Sequence, residues 1–129
     1  MGESDMRDYD PLKAPDPAAW LSLGELERID LVLQYHEREH VKVPSLRAHA
    51  AFHAIIETQV AMGDELPVAA TLARLQSEGL DRHEAVHAIG SVLAEQVHGV
   101  ASGTAPGEPN EAYAAALERL NAKSWRHAR

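Results

Sequence analysis

Apolar residues recur every three to four positions through most of the chain, and no stretch alternates apolar with polar residues. The pattern predicts helices and no sheet. The first helix is expected to open on a capping box, Ser22-x-x-Glu25, and to run to about His40, with Leu26, Ile29, Leu33, His36 and His40 on its buried stripe. Pro44-Ser45 opens a second helix that ends at about Met62, before Gly63, with Leu46, His49, His53, Ile56, Glu57 and Val60 inward. A third, roughly 66–78, begins near Pro67, stops at Gly79 and is anchored by Leu72 and Leu75. The fourth starts with the capping box Asp81-x-x-Glu84 and runs to about His98. Its apolar stripe is Val86, Ile89, Leu93 and Val97, and His83, His87, Gly90 and Ala94 form the adjoining row. A linker rich in Gly, Pro, Ser and Thr, Ala101–Pro109, leads to a last helix over about 110–126 that carries Tyr113, Leu117 and Leu120.

The expected fold is therefore all-α, a compact bundle of four to five helices. It divides into a flexible acidic arm over 1–19, a histidine-rich bundle over 20–99, a linker over 100–109 and a C-terminal helix over 110–129. A length of 129 residues fits one domain with a modest core. Aromatics make up only 5% of the chain, which favours closely packed helices over a β-sandwich.

A net charge of −8 argues against nucleic acid as a general partner and against adsorption to anionic membranes, because both need a basic face. No apolar run is long enough to span a bilayer, and the acidic, Pro-rich N-terminus has no signal-peptide core, so a cytoplasmic protein is expected. There is no cysteine, which removes disulfides, Fe–S clusters and thiolate zinc sites. Any metal must be held by histidine and carboxylate, a donor set suited to Zn, Fe, Mn, Ni or Cu.

Six of the eight histidines fall into three i,i+4 pairs: His36/His40, His49/His53 and His83/His87. Random order would give roughly 0.5 such pairs, so the spacing calls for a cause. Residues four apart share one helix face with about 5–6 Å between Cβ atoms, which lets two imidazoles reach one ion. His49, His53 and Glu57 span only about 80° of their helix, as do His87 and Glu95 on theirs. Inward His and Glu at one-turn spacing on neighbouring helices is the layout of metal sites in helical bundles. The expected centre holds one or two transition-metal ions, Zn or Fe first. Its ligands are His49, His53, His83 and His87; Glu57 and Glu95 serve as ligands or as groups that orient imidazoles, and His36 and His40 follow. The competing reading is a packed polar core, which must bury several ionisable rings without partners. Gly90, one turn past His87, reads as close helix packing, with room for a metal or its small ligand at that level as the alternative, and Gln59, on the opposite side from His53, as a cap or a bridge to another helix.

His83-Glu84-Ala85-Val86-His87 also fits H-E-x-x-H, in which two histidines bind zinc and the glutamate is general base. About 0.05 such matches are expected by chance in this composition. Against a hydrolase, Glu84 is already explained as a capping-box residue, and no edge strand is predicted to bind an extended peptide. Three classes stay open: a metal-binding protein, a zinc-dependent hydrolase with Glu84 as catalytic base, and a metal-free acidic helical interaction module. No substrate is indicated. A bundle with a free apolar face can form a homo-oligomer, and an inter-subunit site would read identically in sequence.

His49-Ala-Ala-Phe-His53-Ala-Ile-Ile-Glu57-Thr-Gln59, followed by His83-Glu84-Ala85-Val86-His87 and Leu93-Ala94-Glu95, resembles a bacterial domain-of-unknown-function family of small proteins. That family's pattern is close to H-x-x-x-H-x-x-x-E-x-Q, then H-E-A-x-H and L-A-E. His36 and His40 resemble its upstream H-P-E-x-H element, with Glu37 in place of the proline. The resemblance covers roughly residues 33–97 and implies an all-helical fold in which metal binding is reasonable; it carries no activity. A further analogy, of chemistry alone, is to haemerythrin-type di-iron bundles, although the chain lacks their later His-x-x-x-x-Asp.

Overall fold

Trp20 anchors the N-terminal end of the molecule: its side chain is fully buried and its Nε1–H donates to Thr58 Oγ1 at 3.1 Å. In this computed structural model residues 8–104 and 107–128 are described. Residues 1–7 of the expected arm and 105–106 of the expected linker lie outside them.

Trp20 sits in a short helix, α1 (Pro17–Ser22), capped by Asp16, with Pro17 at the first position. Leu23 is extended, and α2 (Glu25–Arg38) starts from a capping box at Gly24, whose N–H donates to Glu27 Oε1 at 2.7 Å. The expected Ser22/Glu25 box is thus displaced by two residues. The reason is that Ser22 belongs to α1 and donates to Ala19 O instead. Arg28 then fixes the corner by donating to the carbonyls of Trp20 and Leu21 at the end of α1. The inward face of α2 turns with the new start: Val32 and His36 are buried, while Leu26 and His40 are exposed.

Helix α3 (Leu46–Ala61) is capped by Ser45, as expected, and gives way at Met62 to a 3₁₀ turn at Gly63–Glu65. Helix α4 (Val68–Ser77) ends at Gly79, whose φ of 110° suits only glycine. Helix α5 (Arg82–Ser102) starts from Asp81, runs through Gly99 and stops at the left-handed Gly103. The C-terminal segment is two helices, α6 (Pro109–Arg119) and α7 (Ala122–Ala128), rather than one. Leu120 is extended between them, Asn121 Oδ1 accepts from Ser124 N, and Ala122 N donates to Glu78 Oε1 on the far side of α4. Local capping and one long-range tie outweigh helical continuity there.

The described residues are therefore all-helical with no strand, as the pattern predicts, but the helices number seven, more than four to five. None of them is long and apolar enough to cross a membrane. Two apolar clusters form the core. Tyr9, Trp20, Val32, Ala50 and Ala54 join the N-terminal segment to α2 and α3, and Ile56, Leu72, Leu75, Val86, Ile89 and Leu117 join α3 to α4, α5 and α6. Helix α3 belongs to both clusters, and its histidines lie along that seam.

Candidate metal centre

One imidazole from α2, two from α3 and one from α5 converge: ligand nitrogens of His36, His49, His53 and His87 all lie within 4.8 Å of one another. His36 and His53 are buried, and His49 and His87 half-buried. His83, one turn before His87, adds a fifth ring. The centroid of His53 lies 4.9 Å from His36, 5.4 Å from His49, 5.2 Å from His83 and 4.9 Å from His87. The other four close a ring around it, at 4.7 Å (His36–His49), 4.9 Å (His49–His87), 4.3 Å (His83–His87) and 6.1 Å (His36–His83). His53 is the hub of the cluster.

Hydrogen bonds at the outer nitrogens decide which tautomer His36 and His53 adopt. His36 Nδ1 lies 2.8 Å from Val32 O, a pure acceptor, so Nδ1 carries the hydrogen and Nε2 keeps a lone pair. His53 Nδ1 lies 3.0 Å from the Tyr9 hydroxyl, which itself donates to Glu57 Oε2 at 2.5 Å. The phenol oxygen must then accept from His53 Nδ1–H, leaving Nε2 free to act as a donor atom toward an ion. The Nε2 atoms of His36, His49, His53 and His83 are all buried without a hydrogen-bond partner. Such orphaned polar atoms are uncommon, and each costs about 1–3 kcal/mol unless something takes the lone pair.

Burial also favours the neutral form of His36, His49, His53 and His83. It lowers the pKa of His36, and the Val32 hydrogen bond only partly opposes it. Burial lowers His49 and His83 as well, reinforced by the neighbouring imidazoles, and it lowers His53 furthest. A neutral imidazole is the form that ligates metal.

Glu57 does not join the donor group. Its carboxylate is fully engaged by Tyr9 and by a two-pronged ion pair with Arg82, at 2.7 Å for each nitrogen–oxygen contact, and both side chains are buried. Burial opposes the charge on Arg82, but the hydrogen bonds and charge of Glu57 outweigh it and raise its pKa. Burial first, and the facing Glu57 second, push the Tyr9 hydroxyl well above its usual range, so it stays a donor. Glu57 thus reaches the cluster through Tyr9, as an orienting group.

His40 and Glu95 stand apart. His40 ends α2 in a left-handed conformation, φ 55°, and is exposed. Glu95 is exposed on α5 beside Ala112 and Arg119. Glu84 follows the cap, its backbone N–H bonded to Asp81 Oδ1 at 2.8 Å. Gln59 does bridge, accepting from the Tyr113 hydroxyl of α6 at 2.8 Å. Gly90 corrects the packing reading: a Cβ placed there would meet nothing within 4 Å. It opens instead on a cavity of about 320 Å³ whose lining includes His49, His53 and His87 together with Phe52, Val86 and Trp125.

Tyr9 and Arg82 are the residues that sequence reasoning missed. Tyr9 lies within the stretch expected as an arm, yet it is buried, and Arg82 Nη1 also donates to Pro11 O at 2.9 Å, clamping that segment down. The only sequence signal was an aromatic residue in an otherwise polar N-terminus. The chain matches no protein-family model, no curated protein and no solved structure.

Proposed function

We propose that the protein binds a first-row transition-metal ion through His36, His49, His53 and His87, with His83 as a fifth ligand. The observation that carries this reading is the set of buried, unpartnered Nε2 atoms of His36, His49, His53 and His83 on three helices, with the tautomers of His36 and His53 fixed from behind. A packed polar core would pair those atoms with one another or with backbone; here the outer nitrogens of His36 and His53 are paired, and the inner Nε2 atoms of His36, His49, His53 and His83 are not. Imidazole suits Zn, Fe, Cu and Ni. Four histidines alone would close a tetrahedral zinc site, whereas a fifth exceeds zinc's usual four and favours a six-coordinate ion such as Fe(II) with one position left for water or a small molecule. The hydrolase reading fits less well, because the pair His83/His87 is supplemented by three further imidazoles where such enzymes add a single further protein ligand.

The test is elemental analysis of full-length protein purified without chelator. About one equivalent of Fe or Zn per chain, lost in the His53→Ala/His87→Ala variant, is the expected result. A metal-free protein that is folded and takes up no added Fe(II), Zn(II) or Co(II) would overturn it.

A further inference from the structure

The cavity at Gly90 has a use that metal binding alone does not require. We propose that it binds a small apolar monocarboxylate, whose carboxylate ligates the ion and whose hydrocarbon part fills the space beside Gly90. This rests on the metal reading above.

Three observations converge. First, the cavity shares a wall with the cluster, since His49, His53 and His87 line it, so a molecule inside would lie against the donor set. Its volume, about 320 Å³, stands at the small end of the roughly 300–1,000 Å³ range of small-molecule sites. Second, the space is preserved by residue choice. Gly90 lies inside a helix of 21 residues, where glycine is the poorest helix former apart from proline, and even a methyl group there would touch nothing. Phe52, Val86, Ala94 and Trp125 make most of the remaining surface apolar and suited to a hydrocarbon group, and the hydroxyl of Ser91, which also lines it, donates to Ala88 O.

Third, the charge is unbalanced. The imidazoles are neutral ligands, and Glu57, the carboxylate tied to the cluster through Tyr9, is neutralised by Arg82. Asp10 and Asp81 act on His83, but both are exposed and screened by solvent. A divalent cation in this partly buried setting would carry its full charge, a costly arrangement that an anionic ligand relieves. An anion with an apolar body satisfies both the ion and the wall.

Benzoate is the probe. The full chain is loaded with Co(II), whose visible spectrum reports its ligands, and titrated with benzoate and, separately, with azide, an anion that needs an open position but no pocket. Saturable spectral change with benzoate is expected. In Gly90→Leu the added side chain fills the cavity, so benzoate should weaken roughly ten-fold or more while azide and Co(II) stoichiometry stay within about two-fold, because an apolar pocket discriminates strongly against added volume. Ala94→Phe, filling the same cavity from one turn further along, gives the same reading if Gly90→Leu does not fold. Co(II)-loaded protein that ignores benzoate, or filled variants that bind it as tightly as the natural protein, would overturn the inference and leave the metal site standing. Failure to take up Co(II) would remove the metal reading, and this inference with it, before any benzoate is added.

Discussion

Tyr9 and His53, 44 residues apart in the chain, share a hydrogen bond of 3.0 Å between the phenol oxygen and Nδ1. The hydroxyl hydrogen points the other way, to Glu57, so the imidazole at the hub of the cluster is oriented by a tyrosine that a buried carboxylate orients in turn. Partners of this kind tune a metal ligand without touching the metal.

Tyr9→Phe keeps the ring in its apolar place and deletes only the hydroxyl. Metal affinity should fall roughly 10–100-fold, the usual effect of losing such a partner, while helix content is unchanged. Competition against a chromogenic chelator reads the affinity and circular dichroism the fold. Equal affinity in the two proteins would mean that Tyr9 is merely structural.

What the sequence revealed of this centre follows from the range of each interaction. The pairs His49/His53 and His83/His87 were legible because i,i+4 spacing is a property of one helix, independent of what packs on it. His36 survived an error in the α2 stripe because it lies near the edge of both the expected and the observed face, whereas His40 fell off when the helix ended at Arg38. Glu57 was placed inward correctly, but its partner was invisible: nothing in the local sequence says that Arg82, in the first turn of α5, is buried against a residue 25 positions earlier. Tyr9 was hidden for the same reason. The helix count went astray at Leu23 and Leu120, single extended residues that no periodicity marks.

Arg82 should be the least replaceable polar residue outside the cluster. Arg82→Met strips a buried carboxylate of its partner and also frees Pro11 O. Breaking one partner of a buried pair costs about 3–5 kcal/mol, so the urea midpoint should drop sharply. The double variant Glu57→Leu/Arg82→Met, which removes both charges, should be clearly more stable than Arg82→Met alone. If it is not, the pair is not acting as a buried ion pair.

Gly90→Ala should do the opposite. The site is helical and a Cβ meets no neighbour, so the substitution removes unfolded-state freedom without a clash. A gain of about 0.5–1 kcal/mol is expected, with metal content unchanged. A loss of stability would mean that the space at Gly90 is filled in solution.

Alkaline pH probes the other side of α3, where the Tyr113 hydroxyl donates to Gln59. Burial pushes the Tyr113 pKa up to about 12. Tyrosine in an unfolded chain ionises near 10, so below that pH both states are neutral and the full contribution of this group is present. Between about 10 and 12 the unfolded chain loses a proton that the folded one keeps. Stability therefore falls as pH rises through that window, and not on the acid side. Tyr113→Phe should cost about 0.5–1.5 kcal/mol at neutral pH through the lost hydrogen bond, yet flatten the decline above pH 10. Urea unfolding of both proteins across pH 8–12 measures the two slopes. Parallel curves would show that Tyr113 ionises as freely in the folded protein as in the unfolded chain, and coincident curves that its bond to Gln59 contributes nothing to holding α6 on α3.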